Sequence, residues 1–372
     1  MPDEPLPAED EASEPTSQKV DFPCSNCGAK TTWDPESDML ACEYCGTKVP
    51  VPRGEGTIVE RALEDVGSAA RGLGVAVRAA KCANCGATVC FSTSSTAESC
   101  VYCGSPNVLA QEANRNALRP ESLVPLDLSR AQVEQAFRKW VRSLWFRPSE
   151  LKKAKEFAAL GIYVPFWTFD CRVHSDWSAD AGYYYYVTVP RMVTVNGRTQ
   201  MRMVQERRIR WEPAWGARDD SYDDELVCAS RLAPELMREL GGFQTKALVP
   251  YRPEYLAGWH AEEYQFDLEQ GWARCQASVI ESQKSRCAGD VPGNEHRNLR
   301  VKNTIGGVRW KHVLLPVWSL QYRFQGKVYT VLVNGQTGCV AGKAPISWAK
   351  VALLVVGVVV AILVVVAIAS TR

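Results

Sequence analysis

The stretch Cys24-Ser-Asn-Cys27-Gly28, followed by Cys42-Glu-Tyr-Cys45-Gly46, holds two C-x2-C pairs with fourteen residues between them. Fifty-eight residues later the device recurs without a gap, as Cys82-Ala-Asn-Cys85-Gly86 and Cys100-Val-Tyr-Cys103-Gly104. A C-x2-C turn places two sulfurs on one side of a tight loop, and the glycine that follows suits the left-handed backbone closing such a knuckle. Two knuckles complete a tetrahedron around Zn²⁺. Four thiolates leave no open coordination position, so each site is expected to be structural rather than catalytic. The spacing is a metal pattern rather than a disulfide framework, and no secretory signal precedes it. Thirty-six residues between Cys45 and Cys82 disfavour an interleaved cross-brace. The expectation is two structural zinc ions, one held by Cys24, Cys27, Cys42 and Cys45, the other by Cys82, Cys85, Cys100 and Cys103.

Between the knuckles, Thr31, Thr32 and Trp33 in one copy and Val89, Cys90 and Phe91 in the other read as strands of a small zinc ribbon. Tyr44 and Tyr102 occupy the same slot and are expected to cover their sites. Cys90, Cys171, Cys228, Cys275, Cys287 and Cys339 lack ligand spacing and read as reduced, buried residues.

At the other end, Val351 to Ala369 is nineteen residues without a charge. At ~1.5 Å per residue a helix there spans about the ~30 Å hydrocarbon layer. Trp348 and Lys350 precede it, as an aromatic and a cation do at a membrane interface. No amino-terminal signal is visible, Lys343 and Lys350 favour an inside location for the bulk, and free thiolates need a reducing compartment. The expected topology is a single-pass membrane protein with its amino-terminal bulk in the cytoplasm, held to a lipid bilayer through residues 351–369.

Residues 1–20 carry six acids and four prolines with few large apolar side chains, so this acidic tail is expected to be disordered. Ribbons are placed at 21–50 and 81–110, with a linker or short amphipathic helix over 51–80, where Val59, Leu63, Val66, Ala70 and Leu73 recur at helical spacing among glycines. Residues 120–343 read as an α+β domain rich in Trp and Tyr, and 348–370 as the transmembrane helix. In the domain, Ser129 caps a helix with an apolar stripe at Val133, Phe137, Trp140 and Val141, ended by Pro148. A second helix runs from Ser149 toward Leu160. Ile162–Val173 and Tyr183–Val189 read as strands, and Asn196-Gly197 marks a hairpin. A short helix spans Pro234–Leu240, and a final hairpin turns at Asn334-Gly335. A faint duplication is visible: Leu126-Asp-Leu128 leads to a helix and then Ile162-Tyr-Val-Pro-Phe-Trp167, while Phe266-Asp-Leu268 leads to a helical stretch and then Leu314-Leu-Pro-Val-Trp318.

No phosphate-cradling loop, zinc-protease helix or nucleophile elbow is present, so nothing makes a case for catalysis. The acidic run Asp219, Asp220, Asp223, Asp224 and Glu225 reads as a solvated loop. Residues 21–110 hold seven Lys/Arg against ten Asp/Glu, a net of −3, and each tetrathiolate zinc centre adds about −2. Phosphate binding needs a positive surface, so protein contact is favoured over nucleic acid. One basic patch, Arg191, Arg198, Arg202, Arg207, Arg208 and Arg210, surrounds the Asn196-Gly197 hairpin. It reads as a hairpin charged against edge pairing, or as a contact for anionic lipid.

The knuckles, together with Gly161-Ile-Tyr-Val-Pro-Phe-Trp-Thr-Phe-Asp170, Pro250-Tyr-Arg-Pro-Glu-Tyr-Leu-Ala-Gly-Trp259 and Val333-Asn-Gly-Gln-Thr-Gly338, resemble a bacterial family of tail-anchored double zinc-ribbon proteins. Its members are labelled TFIIB-type zinc ribbon-containing protein or primosomal helicase-like. The resemblance implies zinc and membrane attachment, and partners of phage-shock type or flotillin-like proteins. It carries metal roles onto the eight knuckle cysteines and no catalytic residue. The helicase label fits poorly, because the nucleotide-binding loop is missing. The function this implies is a non-enzymatic adaptor at the membrane; the alternative is a membrane-tethered nucleic-acid-binding regulator.

Overall fold

A computed structural model of the chain describes residues 22–53, 56–74, 77–92, 99–144, 158–195, 198–230, 234–324, 327–345 and 347–370. The acidic tail 1–20, the helix expected from Ser149 with Pro148 before it, and the Asn196-Gly197 turn lie outside the described residues. The architecture is a small amino-terminal β region with two four-cysteine groups, a mixed α+β body with a sheet-rich core, and one carboxy-terminal apolar helix.

The first ribbon is a separate antiparallel sheet of β1 (Thr31–Asp34), β2 (Met39–Cys42) and β3 (Lys48–Pro50). The described part of 51–80 is not an amphipathic α-helix. It forms β4 (Arg61–Ala62), paired to the body, and a 3-10 turn at Leu63–Ser68 whose Leu63 and Val66 pack on the core. Gly72 and Gly74, both at positive φ, break the helical spacing. The second ribbon consists of β5 (Val77–Cys82), β6 (Thr88–Ser92) and β7 (Val108–Glu112).

The body contains β8 (Ser122–Leu123), α1 (Arg130–Ser143), β9 (Ala158–Val195), β10 (Arg198–Cys228), α2 (Pro234–Leu240), β11 (Val249–Pro250), β12 (His260–Glu262), α3 (Leu268–Asp290), β13 (Glu295–Phe324), β14 (Lys327–Asn334) and β15 (Val340–Gly342); α4 (Trp348–Ser370) follows. The large sheet runs β11-β8-β13-β9-β12-β6-β5-β7, with β10 on β9, β14 on β13 and β15 on β14. Ser129 caps α1 as expected, in a capping box with Gln132, and Val133, Phe137 and Val141 are buried. Ala158 to Leu160 belong to β9, not to a helix. The two strands expected at Ile162–Val173 and Tyr183–Val189 are parts of that one long strand. The intervening His174 to Gly182 is rich in Ser, Asp and Gly, residue types that carry little strand signal. Yet Ser175, Trp177, Ala179 and Ala181 turn inward while His174, Asp176 and Ser178 turn out, the period of a half-buried strand.

The faint duplication has a geometric counterpart. In the antiparallel register of β9 against β13, Val164 faces Leu315, Tyr163 faces Pro316 and Pro165 faces Leu314. The two Pro-x-Trp segments thus cross at a local twofold centred on Val164 and Leu315. Short strands obey the same relation. The β8 strand of the first half pairs parallel with β13 of the second, Ser122 to Val313. In turn β12 of the second half pairs parallel with β9 of the first, His260 to Ile162. Each half therefore lends its short strand to the other. The tryptophans repeat the exchange. Trp167 donates its indole N–H to the Phe266 carbonyl at 2.9 Å, and Trp318 donates to that of Leu128 at 3.2 Å. Such buried bonds contribute about 0.5–1.5 kcal/mol each and prevent a larger desolvation cost. Helix α3 reaches Trp167 only because position 271 is glycine; a Cβ there would lie 2.6 Å from the ring.

Candidate metal centres

All four knuckles share one backbone construction. Gly28, Gly46, Gly86 and Gly104 have φ between 68° and 78°, and each donates its N–H to the carbonyl of the first cysteine of its knuckle at 2.9 Å. Only glycine adopts this backbone without a Cβ penalty. In the first group Cys24 and Cys45 sulfurs lie 3.5 Å apart, and Cys27 and Cys42 3.6 Å. In the second, Cys82 and Cys103 are 3.6 Å apart, and Cys85 and Cys100 3.5 Å. Within each group all four sulfurs fall within 4.8 Å of one another. A tetrahedron with Zn–S near ~2.3 Å has edges of roughly 3.8 Å, so the sulfur cages match the ion. The eight cysteines are free of disulfides. Two groups of four cysteines, each able to hold a metal ion, are what two structural Zn²⁺ require.

Electrostatics point the same way. The Thr47 hydroxyl, first among its neighbours, draws the Cys45 thiol down to about 6. Hydrogen bonding with Cys85 is the main cause that draws Cys100 down to about 5, while Cys85 is pushed up by the same bond. Four thiols in contact cannot all ionise against one another; a bound dication removes that conflict and displaces the remaining protons.

The two ribbons meet the body differently. Trp33 of the first is 2% exposed; it lies edge-on to Tyr255 and donates its indole N–H to the Leu126 carbonyl at 3.2 Å. Trp259 returns the contact with a bond to the Trp33 carbonyl. The second ribbon is part of the large sheet, since β6 pairs with β12 through Cys90–Ala261 and Val89–Glu262. A small apolar cleft lies between the ribbons, lined by Phe22 and Thr31 on one side and by Val77 and Phe91 on the other.

The equivalence expected of Tyr44 and Tyr102 does not hold. Tyr102 is 5% exposed and donates its hydroxyl to Glu262 at 2.6 Å; Tyr44 is 85% exposed and covers nothing. The body abuts one knuckle and leaves the other in solvent, a difference no local motif could carry. Glu262, wholly buried, also accepts from Ser230 at 2.7 Å, and burial pushes its carboxyl up to about 7.

The acidic run is not a solvated loop either. It lies within β10. Asp220 is held well below the usual carboxylate range, first by the Arg218 guanidinium, and also accepts from Gln283 and Arg286. Asp224 sits at a bulge with φ 52° and pairs at 2.6 Å with Lys311, which also reaches Glu60 at 3.0 Å. Among the remaining cysteines, Cys90, Cys171, Cys275 and Cys287 are buried as expected, Cys228 is half-buried, and Cys339 is exposed. Helix α4, from Trp348 to Ala369, is long and apolar enough to cross a membrane and is unburied by the rest of the protein.

No family model matches the chain. It is 26% identical over 335 residues to "Uncharacterized protein YdjG" of Bacillus subtilis (strain 168), a likeness covering 90% of this chain and 92% of that protein. No solved structure matches.

Proposed function

We propose that the chain is a membrane-anchored, non-enzymatic adaptor whose amino-terminal bulk lies in the cytoplasm and recruits proteins to the membrane. The reading that it belongs to the tail-anchored double zinc-ribbon family, with phage-shock-type or flotillin-like partners, is part of this proposal. The observation that carries it is the exposed knuckle of the first ribbon. Its Tyr44, a side chain of the type that anchors interfaces, stands in solvent on a ribbon that Trp33 fixes rigidly to the body. Free thiols throughout the described residues suit a reducing compartment, and Lys343 before α4 and Lys350 in its first turn suit a cytoplasmic flank. The conspicuous buried charges are used internally: Lys311 by Asp224 and Glu60, Asp220 by Arg218 and Arg286.

A photo-crosslinking amino acid at Tyr44 of the full-length protein, activated in intact membranes, tests the reading. A discrete protein adduct is expected, lost when Cys24 and Cys27 become Ser. No adduct at Tyr44, with the protein in the membrane and zinc-loaded, would refute it.

The alternative, a membrane-tethered nucleic-acid-binding regulator, draws on the arm formed by Tyr183–Val195 and Arg198–Arg210, whose strands among the described residues form ladders only with each other. Its exposed Arg191, Arg202, Arg207, Arg208 and Arg210 outnumber Glu206. Salt-sensitive retardation of DNA or RNA, weakened by Arg207→Ala with Arg208→Ala, would favour it.

A further inference from the structure

The arm's arginines are the obvious cations of this chain, yet they lie far from the anchor along the strand that carries them. Gly342 of β15 pairs with Val331, which pairs with Leu320, which pairs with Ala159 at the start of β9. The arm ends at Val195, about 120 Å of strand contour further on. The elements beside the anchor are different ones. Ala344 is buried in the same core cluster as Phe137, Val141 and Tyr322, and the Tyr322 hydroxyl donates to the Lys343 carbonyl at 3.4 Å. From Ala344 to Trp348 is four residues, at most ~14 Å of extended chain. Whatever packs around Ala344 is therefore held close to the headgroups once α4 is in a bilayer.

Helix α1 packs there. Phe137 and Val141 face inward, with Phe137 5.8 Å from the Tyr322 ring. Its outer face carries Gln135, Arg138, Lys139 and Arg142, spaced three and four residues apart and all exposed. Among the described residues these three cations make no ion pair, whereas Glu134 of the same helix is engaged by Arg130. Lys327 of β14, two residues before the Tyr329 that stacks on Tyr322, is exposed as well. We infer that the outer face of α1 is a lipid-binding surface that lies against anionic headgroups of the membrane holding α4. Each Lys or Arg near an anionic surface contributes attraction that falls off within a Debye length, so three on one helical face, tethered at short range, favour contact strongly. The inference rests on α4 spanning a bilayer.

The test uses the full-length protein in nanodiscs of zwitterionic lipid alone or with about a third anionic lipid. A photo-crosslinking amino acid replaces Gln135, which leaves the cations in place; a control replaces Glu281, exposed on α3. The expected result is a lipid adduct at 135 and not at 281. Its yield should fall about tenfold or more in zwitterionic discs, in high salt, or with Arg138→Glu, Lys139→Glu and Arg142→Glu combined. Equal yields at 135 and 281, or a yield at 135 indifferent to anionic lipid, overturns the inference while leaving the membrane reading intact. Protein that stays out of the discs would instead overturn the membrane reading, and the inference with it.

Discussion

Trp33 decides whether the first ribbon is an independent knob or part of the body. Replacing it with Ala removes a side chain that is 2% exposed, and tryptophan burial of 150–250 Å² at ~25 cal/mol per Å² corresponds to about 4–6 kcal/mol. Relaxation of the site brings the expected loss to about 3–5 kcal/mol. Trp33→Phe isolates one component: the ring contact with Tyr255 survives in part, but the Leu126 carbonyl loses its donor at 3.2 Å, at a cost of about 1–3 kcal/mol. The same residue, Leu126, gives its N–H to the buried Tyr163 hydroxyl, so the disturbance reaches the first residues of β9. Urea unfolding of the full-length protein in detergent, with zinc in excess, should report it. Near-ultraviolet circular dichroism follows the body, whose tryptophans dominate the signal. With a slope of about 2 kcal/mol per molar, the body's midpoint should drop by about 2 M for Trp33→Ala and by about 1 M for Trp33→Phe. A body midpoint unchanged in both variants, with a separate early transition that releases one zinc ion, would refute the reasoning. It would mean that ribbon and body are thermodynamically independent.

Three further expectations concern the metal, a histidine and a lysine. A metal assay should find two zinc ions per chain. Challenge with a thiol reagent and a colorimetric chelator should release the first ribbon's ion sooner, because Cys27 and Cys45 are exposed while Cys85 and Cys103 are half-buried; release in a single phase would contradict the asymmetry. Burial pushes His312 down to about 4 from 6.5, so the unfolded chain binds a proton between those values that the folded chain refuses. Stability from this group is complete above pH 6.5 and is lost as pH falls toward 4, about 2 kcal/mol of it by pH 5. His312→Gln should flatten the change in urea midpoint between pH 7 and pH 5 by that amount relative to wild type. Lys311→Met leaves Asp224 and Glu60 without their cation and should cost about 3–5 kcal/mol in unfolding experiments, with part recovered by adding Asp224→Asn.

The parts legible in the sequence were those written in local chemistry. The knuckles need cysteine and glycine at fixed steps, the Ser129 cap needs its side chain beside its helix, and α4 needs only length and apolarity. The Asn334 hairpin was readable too, and for a reason the structure makes plain. It has a knuckle's backbone, with Gly338 at φ 74° donating to the Asn334 carbonyl, and the Asn334 side chain accepts the N–H groups of Gln336 and Thr337. What stayed hidden depends on partners distant in sequence. The continuity of β9 through Ser175 and Ala179 exists because β10 and β13 pair with its two edges and α3 packs beside it, with Ser175 bonded to Gln283 of α3 and Asn303 of β13. The fates of Tyr44 and Tyr102 differ because Glu262 lies 160 residues from one of them. Asp220 and Asp224 look solvated until Arg218, Arg286 and Lys311 are brought beside them.

The swapped halves also explain why two similar ribbons do different work. An exchange of short strands leaves an outer edge on β8 and another on β12, and an unpaired edge invites pairing with other chains. On β8 the edge is covered by β11, through Val249 and Leu123. On β12 it is covered by β6, and that strand is held in a sheet by the second four-cysteine group at its base. The same ribbon is tied to the anchor-proximal hairpin: Ser319 donates to the Val101 carbonyl, Gln321 to that of Cys100, and Thr330 to that of Tyr102. Its knuckle surface is thereby consumed in closing the fold. The first ribbon docks through Trp33 and its neighbours, by the indole and by single backbone bonds such as Trp33 N–H to the Ala257 carbonyl at 2.9 Å, and among the described residues it pairs no strand with the body. A ribbon that contributes packing but no ladder keeps its knuckles in solvent, so the duplicated sequence element has diverged into one brace and one exposed surface.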